Sequence, residues 1–299
     1  MATARYESVI ARMGDGDCIM IDGATGTEVE VRGVPQIENS WNSGGVITHA
    51  EVVRQVHEDY IRAGAEVVIS DTFGACRHAL RDAGIEEHFQ KINRDAVDLA
   101  IQARDNCDRP DVLIAGGMSY WSWSGYVPSK EEIAEDAREQ AKIMADAGAD
   151  LIMLEMMVGG EKMCATLVAA LESGLPVWAG LSCYLDDNGE VLLLDGDTLE
   201  DAVKSLVAYD VPLINIMHTN VEGILPCLEV VQPHWDRLVG VYAHTGKFDS
   251  RDESWIEGTA ISPEGYAEYA NQWIGRGINL IGGCCGVGVG HIQCLAAQL

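Results

Sequence analysis

The sequence predicts an α/β protein folded as a single (β/α)8 (TIM) barrel domain over residues 1–299. Three observations carry that expectation. Eight short runs rich in Val, Ile and Leu recur along the chain, each ending on a polar residue or glycine. Amphipathic patterns with apolar residues three and four positions apart lie between them. Two helix-to-strand junctions are nearly the same phrase, RAGAEVVISD and DAGADLIMLE, with a glycine that ends the helix just before the strand. No shift in composition marks a linker, so one closed barrel fits better than two doubly wound domains.

The strands are read in order, because barrel chemistry sits at their C-terminal ends. CIMID (18–22) delivers Asp22 and Gly23. After the helical stretch HAEVVRQVHEDYIRAG, EVVIS (66–70) delivers Ser70, Asp71 and Thr72. VLIAGGM (112–118) leads to Ser119 and the aromatic loop MSYWSWSGYVPS. KEEIAEDAREQAKIMADAG precedes LIMLEM (151–156), which carries Glu155. VWAGLSC (177–183) ends at Ser182 and Cys183, and TLEDAVKSLVAYD follows. PLINIMH (212–218) ends at His218, LVGVYAH (238–244) at His244, and INLIGGCC (278–285) at Cys284 and Cys285, after the helical SPEGYAEYANQWIGRG. Two long irregular stretches, VRGVPQIENSWNSGG and the aromatic loop, both follow strands, where loops carry function.

Composition narrows the class. Forty-seven acidic against twenty basic residues give a formal charge of −27, which repels nucleic acid and anionic membranes. The excess reads first as a solvated surface, and second as an attraction for a cationic substrate. No run approaches the roughly 20 apolar residues that span a bilayer. The opening MATARYESVIARMGDGD is too charged for a secretory signal, so a cytoplasmic location is expected. Nine cysteines without a secretory signal are expected to stay free or to bind metal.

Cys284 and Cys285 are adjacent, a spacing at which a disulfide is strained. With one imidazole from another strand they make a nitrogen–sulfur set suited to Zn2+ with an open fourth position. His218 is the first candidate and His244 the second. Small apolar filler remains the alternative for the cysteines, and a hydrogen-bonded core histidine for His218. Asp22 and Glu155 suit acid–base work or an ammonium ligand, or serve as helix caps. Trp121, Trp123 and Tyr126 form either a cation-binding aromatic cluster or a hydrophobic lid. The glycines of GCCGVGVGH also suggest a phosphate loop, although His291 stands where the dinucleotide fingerprint needs its last glycine.

Taken in order, IDGATGTEVEVRG, HEDYIRAGAEVVISDTFGA, LSCYLDDNGEVLLLDGDTLEDAV and GGCCGVGVGHI resemble the homocysteine S-methyltransferase family over nearly the whole chain. The resemblance implies a zinc-dependent (β/α)8 barrel with three cysteine ligands, two of them at Cys284 and Cys285. The third, in an Asn-Cys pair at the end of strand six, corresponds here to Met217-His218, so His218 takes the cysteine's place. It also implies that Asp22 and Glu155 hold the substrate amino group. Backbone near Gly23 and the Thr72 hydroxyl would hold the carboxylate, and Trp41 would line the pocket. A second departure is His244, where the family usually has asparagine.

The expected reaction is methyl transfer from a cationic sulfonium or quaternary ammonium donor to the thiol of homocysteine or a related thiol or selenol. Two alternatives stand beside it. One is a phosphate-binding lyase or aldolase, weakened because none of the six lysines sits at a predicted strand end. The other is a barrel that binds a small molecule without catalysis. The expected partners are small molecules, and a homo-oligomer is compatible with the chain. The length leaves no room for an added folate- or corrinoid-binding domain, so a corrinoid methyl source would sit on a separate protein.

Overall fold

In the computed structural model, which describes residues 3–249, 254–256 and 258–299, eight parallel strands form one sheet. They are β1 (Ile19–Met20), β2 (Val67–Ile69), β3 (Leu113–Met118), β4 (Leu151–Met157), β5 (Val177–Leu185), β6 (Leu213–Asn220), β7 (Leu238–His244) and β8 (Leu280–Ile281). Neighbours follow chain order, and β8 pairs with β1. A parallel bridge between Ile21 and Val67 joins β1 to β2 and closes the ring. This is the (β/α)8 barrel the sequence predicts, with each strand inside or overlapping its expected run.

Side chains alternate across a strand, and the alternation divides the core in two. Ile19, Val67, Leu113, Leu151, Met153, Trp178, Leu213 and Leu280 fill the barrel interior. Met20, Val68, Ile114, Ile152, Ala179, Ile214 and Ile281 face outward and pack under the helices. The N-terminal helix Ala4–Gly14 adds Tyr6, Val9 and Met13 to the interior cluster and so plugs the end opposite the strand C-termini. Trp178 Nε1 donates to Tyr6 Oη at 3.2 Å, so the plug is tied as well as packed.

The helices begin and end as their residues require. Ser129, Thr198 and Ser262 accept backbone N–H groups as N-caps of the helices Lys130–Ala147, Leu199–Leu206 and Pro263–Ile274. Gly64 (φ 118°) and Gly148 (φ 102°) close the two helices whose junctions repeat in the sequence. Three further strands lie outside the eight-run pattern. Val191–Leu193 folds back antiparallel on β5. The turn between them is held by Asp186, whose carboxylate accepts the N–H groups of Asn188 and Glu190 at 2.9 and 2.7 Å. Lys247–Asp249 and Ser254–Ile256 pair as a ribbon after β7. Among the described residues no helix is long and apolar enough to cross a membrane.

Trp178 is fully buried beneath the site and is the largest side chain of the interior cluster. Trp178→Ala is expected to cost about 3–5 kcal/mol of stability in equilibrium urea unfolding. A loss under 1 kcal/mol would contradict a packed interior.

Candidate active site

Two β-bulges build the mouth of the barrel. Between Leu154 and Met157 of β4, three steps on one strand oppose two on β5. Between Met217 and Asn220 of β6, three steps oppose two on β7. An extra residue lets two consecutive side chains face the same side. On β4, Leu154 and Met157 both pack outward, so Glu155 and Met156 both line the mouth. On β6, Met217 and His218 do the same. The extra residues sit in the left-handed region, Met156 at φ 51° and His218 at φ 42°. That is strained backbone for side chains of this size, held by the surrounding sheet.

β8 delivers its cysteines through the glycine pair that precedes them. A Cβ on Gly282 would stand 2.2 Å from Ile21 Cγ2, and one on Gly283 would stand 2.0 Å from Val287 Cγ1. Only glycine lets the chain pass that close to Ile21 and then fold back onto Val287. The turn is then pinned by Gly283 N–H to Asp22 O (3.1 Å), Cys284 N–H to Ala243 O (2.8 Å) and Thr245 N–H to Cys285 O (3.0 Å).

His218 Nδ1 lies 3.6 Å from Cys284 Sγ and 3.6 Å from Cys285 Sγ, and the two sulfurs are 3.9 Å apart. A tetrahedral ion with metal–sulfur bonds of about 2.3 Å and a metal–nitrogen bond of about 2.0–2.1 Å needs edges of about 3.6 and 3.8 Å. The three atoms therefore outline one face of such a tetrahedron, and the three residues can hold a metal ion. Its fourth position would face the cavity that all three residues line. The neighbouring Cys285 thiol, and then burial, push the Cys284 thiol well above its ordinary pKa.

That cavity measures about 980 Å³. Among its described lining residues there is no lysine or arginine, while Glu30, Glu38, Asp71 and Glu155 are acidic. Burial, then the charge of Asp71, pushes Glu155 up to about 8, and burial pushes Asp71 up to about 7. Asp22 is 2% exposed and does not line the cavity. Its Oδ2 accepts the Ile69 N–H at 2.8 Å, and burial drives its pKa well above the usual carboxylate range against the pull of that N–H. Tyr242 stands among these charges, and its buried hydroxyl has no hydrogen-bond partner.

Aromatic rings form one wall. Trp41, at φ 47°, meets Phe73 edge-on at 6.0 Å, and Phe73 meets Trp123 edge-on at 5.8 Å. Trp121 and Gly23 also line the cavity. Tyr126 does not: its ring lies under Arg81 and its hydroxyl donates to Glu132 at 2.6 Å. Thr72 is fully buried, with its hydroxyl donating to Gly117 O at 2.7 Å. His244 is buried behind His218, with ring centroids 5.0 Å apart and Nε2 2.7 Å from Asn220 Oδ1. Burial, then His218, hold its pKa down at about 2. The site residues that the strand-end reading did not single out are Phe73, Met156, Met217 and Tyr242. Asp71 is named at the end of its strand but given no role, and Phe73, two residues on, is not named.

A family model described as homocysteine S-methyltransferase matches residues 19–299. The chain belongs to the homocysteine S-methyltransferase family. It is accordingly a methyltransferase. The homocysteine S-methyltransferase of Escherichia coli (strain K12) is 28% identical, covering 94% of this chain and 95% of its own. The selenocysteine Se-methyltransferase of Brassica oleracea var. italica is 24% identical over 90% of this chain and 85% of its own. The crystal structure of the Escherichia coli homocysteine methyltransferase MmuM in its metallated form superposes with a TM-score of 0.79 at 26% identity, covering 97% of this chain and 99% of that one. For this methyltransferase, the match favours transfer chemistry over the lyase alternative.

An acid whose pKa is raised by folding binds a proton more tightly in the folded state. Its share of stability is present at low pH and is lost as pH climbs through the folded value. For Glu155 that window runs from its ordinary 4.5 to about 8. Glu155→Gln is therefore expected to raise Tm by a few degrees at pH 8 and to change it little at pH 4.5. Calorimetry at the two pH values checks this. An equal shift at both would contradict a raised carboxyl.

Proposed function

We propose that this methyltransferase moves a methyl group from a sulfonium or quaternary ammonium donor to the thiol of homocysteine, or of a closely related thiol or selenol, at a zinc ion held by His218, Cys284 and Cys285. The observation that carries the reading is the spacing of the three ligand atoms beside an acidic and aromatic cavity. One nitrogen and two sulfurs suit zinc among the common divalent ions. Zinc bound there would supply Lewis acidity, so that the acceptor sulfur is a thiolate at neutral pH.

The chain's own residues do the positioning. Glu155, with the buried Asp22 close by, draws the acceptor's ammonium group to one side of the mouth. The backbone at Gly23 lines the same cavity and offers a place for the acceptor carboxylate. Trp41, Phe73 and Trp123 present ring faces and edges to an onium donor, which such surfaces attract. In-line transfer needs the donor's methyl within about 3–3.5 Å of the acceptor sulfur, with the leaving group behind it. An onium leaving group departs neutral, so the site needs no general acid for it. A cytoplasmic location and a role in methionine formation accord with this reading.

His218 changes the charge of the centre. Zinc with two thiolates and a neutral imidazole carries no net charge, whereas three thiolates leave −1. A less negative centre held by His218, Cys284 and Cys285 would acidify an acceptor thiol more and leave its sulfur less nucleophilic. That favours an acceptor or donor outside the commonest pairing, such as a selenol.

Two outcomes are expected. Purified protein should contain about one zinc per chain, and Cys285→Ser should lose most of it together with thiol methylation measured against a panel of onium donors. Metal-free protein with full activity would overturn the reading. Separately, His218→Cys should keep the metal and shift the preference between thiol and selenol acceptors. Unchanged kinetics with both would remove the assigned role of the imidazole.

A further inference from the structure

We infer that the thioether sulfur of Met217 is the lock that holds both bulges of the mouth in place, and that through it Met217 is a positioning residue for the metal ligand His218. The inference goes beyond the function proposed above and rests on its metal centre.

A bulge takes backbone groups of its extra residue out of the regular ladder, and a buried N–H left that way needs another acceptor. In the β4 bulge that residue is Met156, and its N–H donates to Met217 Sδ at 3.2 Å. From β5, the strand between, Ser182 Oγ donates to the same sulfur at 3.0 Å. Ser182 and Met217 stand opposite each other in the register of β5 and β6. The backbone of Met217 is held as well. Thr219 Oγ1 donates to Met217 O at 2.8 Å and accepts the Cys183 N–H at 3.0 Å. Ser182, Met217 and Thr219 are each no more than 2% exposed. One residue thus ties β4 and β5 to the end of β6, and the next residue along the chain is His218.

A thioether is usually a packing group and only a weak acceptor. This one is set apart by its two donors, each from a different strand, one of them the N–H of the left-handed Met156. His218 is left-handed too, so the direction of its imidazole follows from how firmly the residue before it is fixed. An apolar side chain of the same size would fill the space and leave the Met156 N–H and the Ser182 hydroxyl without that acceptor. Groups that orient a metal ligand without touching the metal typically change affinity by roughly 10- to 100-fold when removed. Met217 occupies that place toward His218.

The test separates the sulfur as acceptor from the side chain as filler. Zinc dissociation constants are measured by competition with a chromophoric chelator for wild type, Met217→Leu and Met217→Gln. Leucine keeps the volume and removes the acceptor, a swap that a packing role tolerates. Glutamine brings a carbonyl oxygen to about the same reach. Met217→Leu should bind zinc roughly 10- to 100-fold more weakly than wild type, and Met217→Gln should recover to within about threefold of it. Equal zinc affinity in wild type and Met217→Leu overturns the lock. Equal weakening in both variants overturns it too, since any change at the position would then do the same. Should Met217→Leu not fold, Ser182→Ala decides. It keeps Met217 and the three ligands, removes one donor, and should weaken zinc by roughly three- to tenfold; unchanged affinity overturns the lock. Wild type that holds no zinc sinks the metal-centre reading, and the lock with it.

Discussion

The site depends on two left-handed residues, Met156 and His218, each the extra residue of a bulge near the C-terminal end of a barrel strand. A regular strand sends successive side chains to opposite faces. In that arrangement Glu155 and Met156 could not both reach the mouth, nor could Met217 and His218. The bulges remove the alternation at those two points. They also explain how His218 meets a cysteine pair on β8 with β7 lying between. The imidazole clears β7 because its backbone has turned out of register there. The strain is local, and it is borne by strands that are paired to a neighbour on each side.

The same mouth is electrostatically unfavourable in the absence of ligand. Asp22, Asp71 and Glu155 are buried, and burial raises all three carboxyl groups. Such a group destabilises the fold when ionised, unless a cation accompanies it. The compensation comes from elsewhere: a double-layered core, a plug helix under the barrel, and a Trp178–Tyr6 hydrogen bond at its base. Charges at the mouth and packing at the base divide the barrel between binding and stability. The overall negative charge of the chain has a local counterpart here, since the described lining residues include four acids and no lysine or arginine.

Much of this was legible in the sequence. Strand ends could be read from apolar runs, and the barrel rule then brought His218, Cys284 and Cys285 to one end without any contact information. Two things were not legible. A bulge leaves no mark on composition: LIMLEMM reads as a continuous strand, and nothing in it says that Glu155 and Met156 share a face. Side-chain direction at a strand end was equally hidden. Thr72 and Asp71 are neighbours in SDTF, yet the hydroxyl turns back onto the Gly117 carbonyl while the carboxylate lines the cavity. Tyr126 lies on the same loop as Trp123, but Arg81 and Glu132 draw it outward. Such choices are made by neighbours distant in sequence, and a motif cannot display them.

His218 and His244, where the resemblance leads one to expect a cysteine and an asparagine, form one packing unit. An imidazole at 218 needs more room than a thiol and a defined ring orientation. His244 supplies an edge-to-face surface at 5.0 Å, and is itself held by Asn220 from the strand that carries His218. An asparagine at 244 would be too short to present such a surface. The two residues therefore depend on each other physically: the ring at 244 packs on the ring at 218, and the bulge that turns His218 inward also brings Asn220 opposite His244 in the register. The His218 imidazole is thus set within a packed segment of β6 and β7.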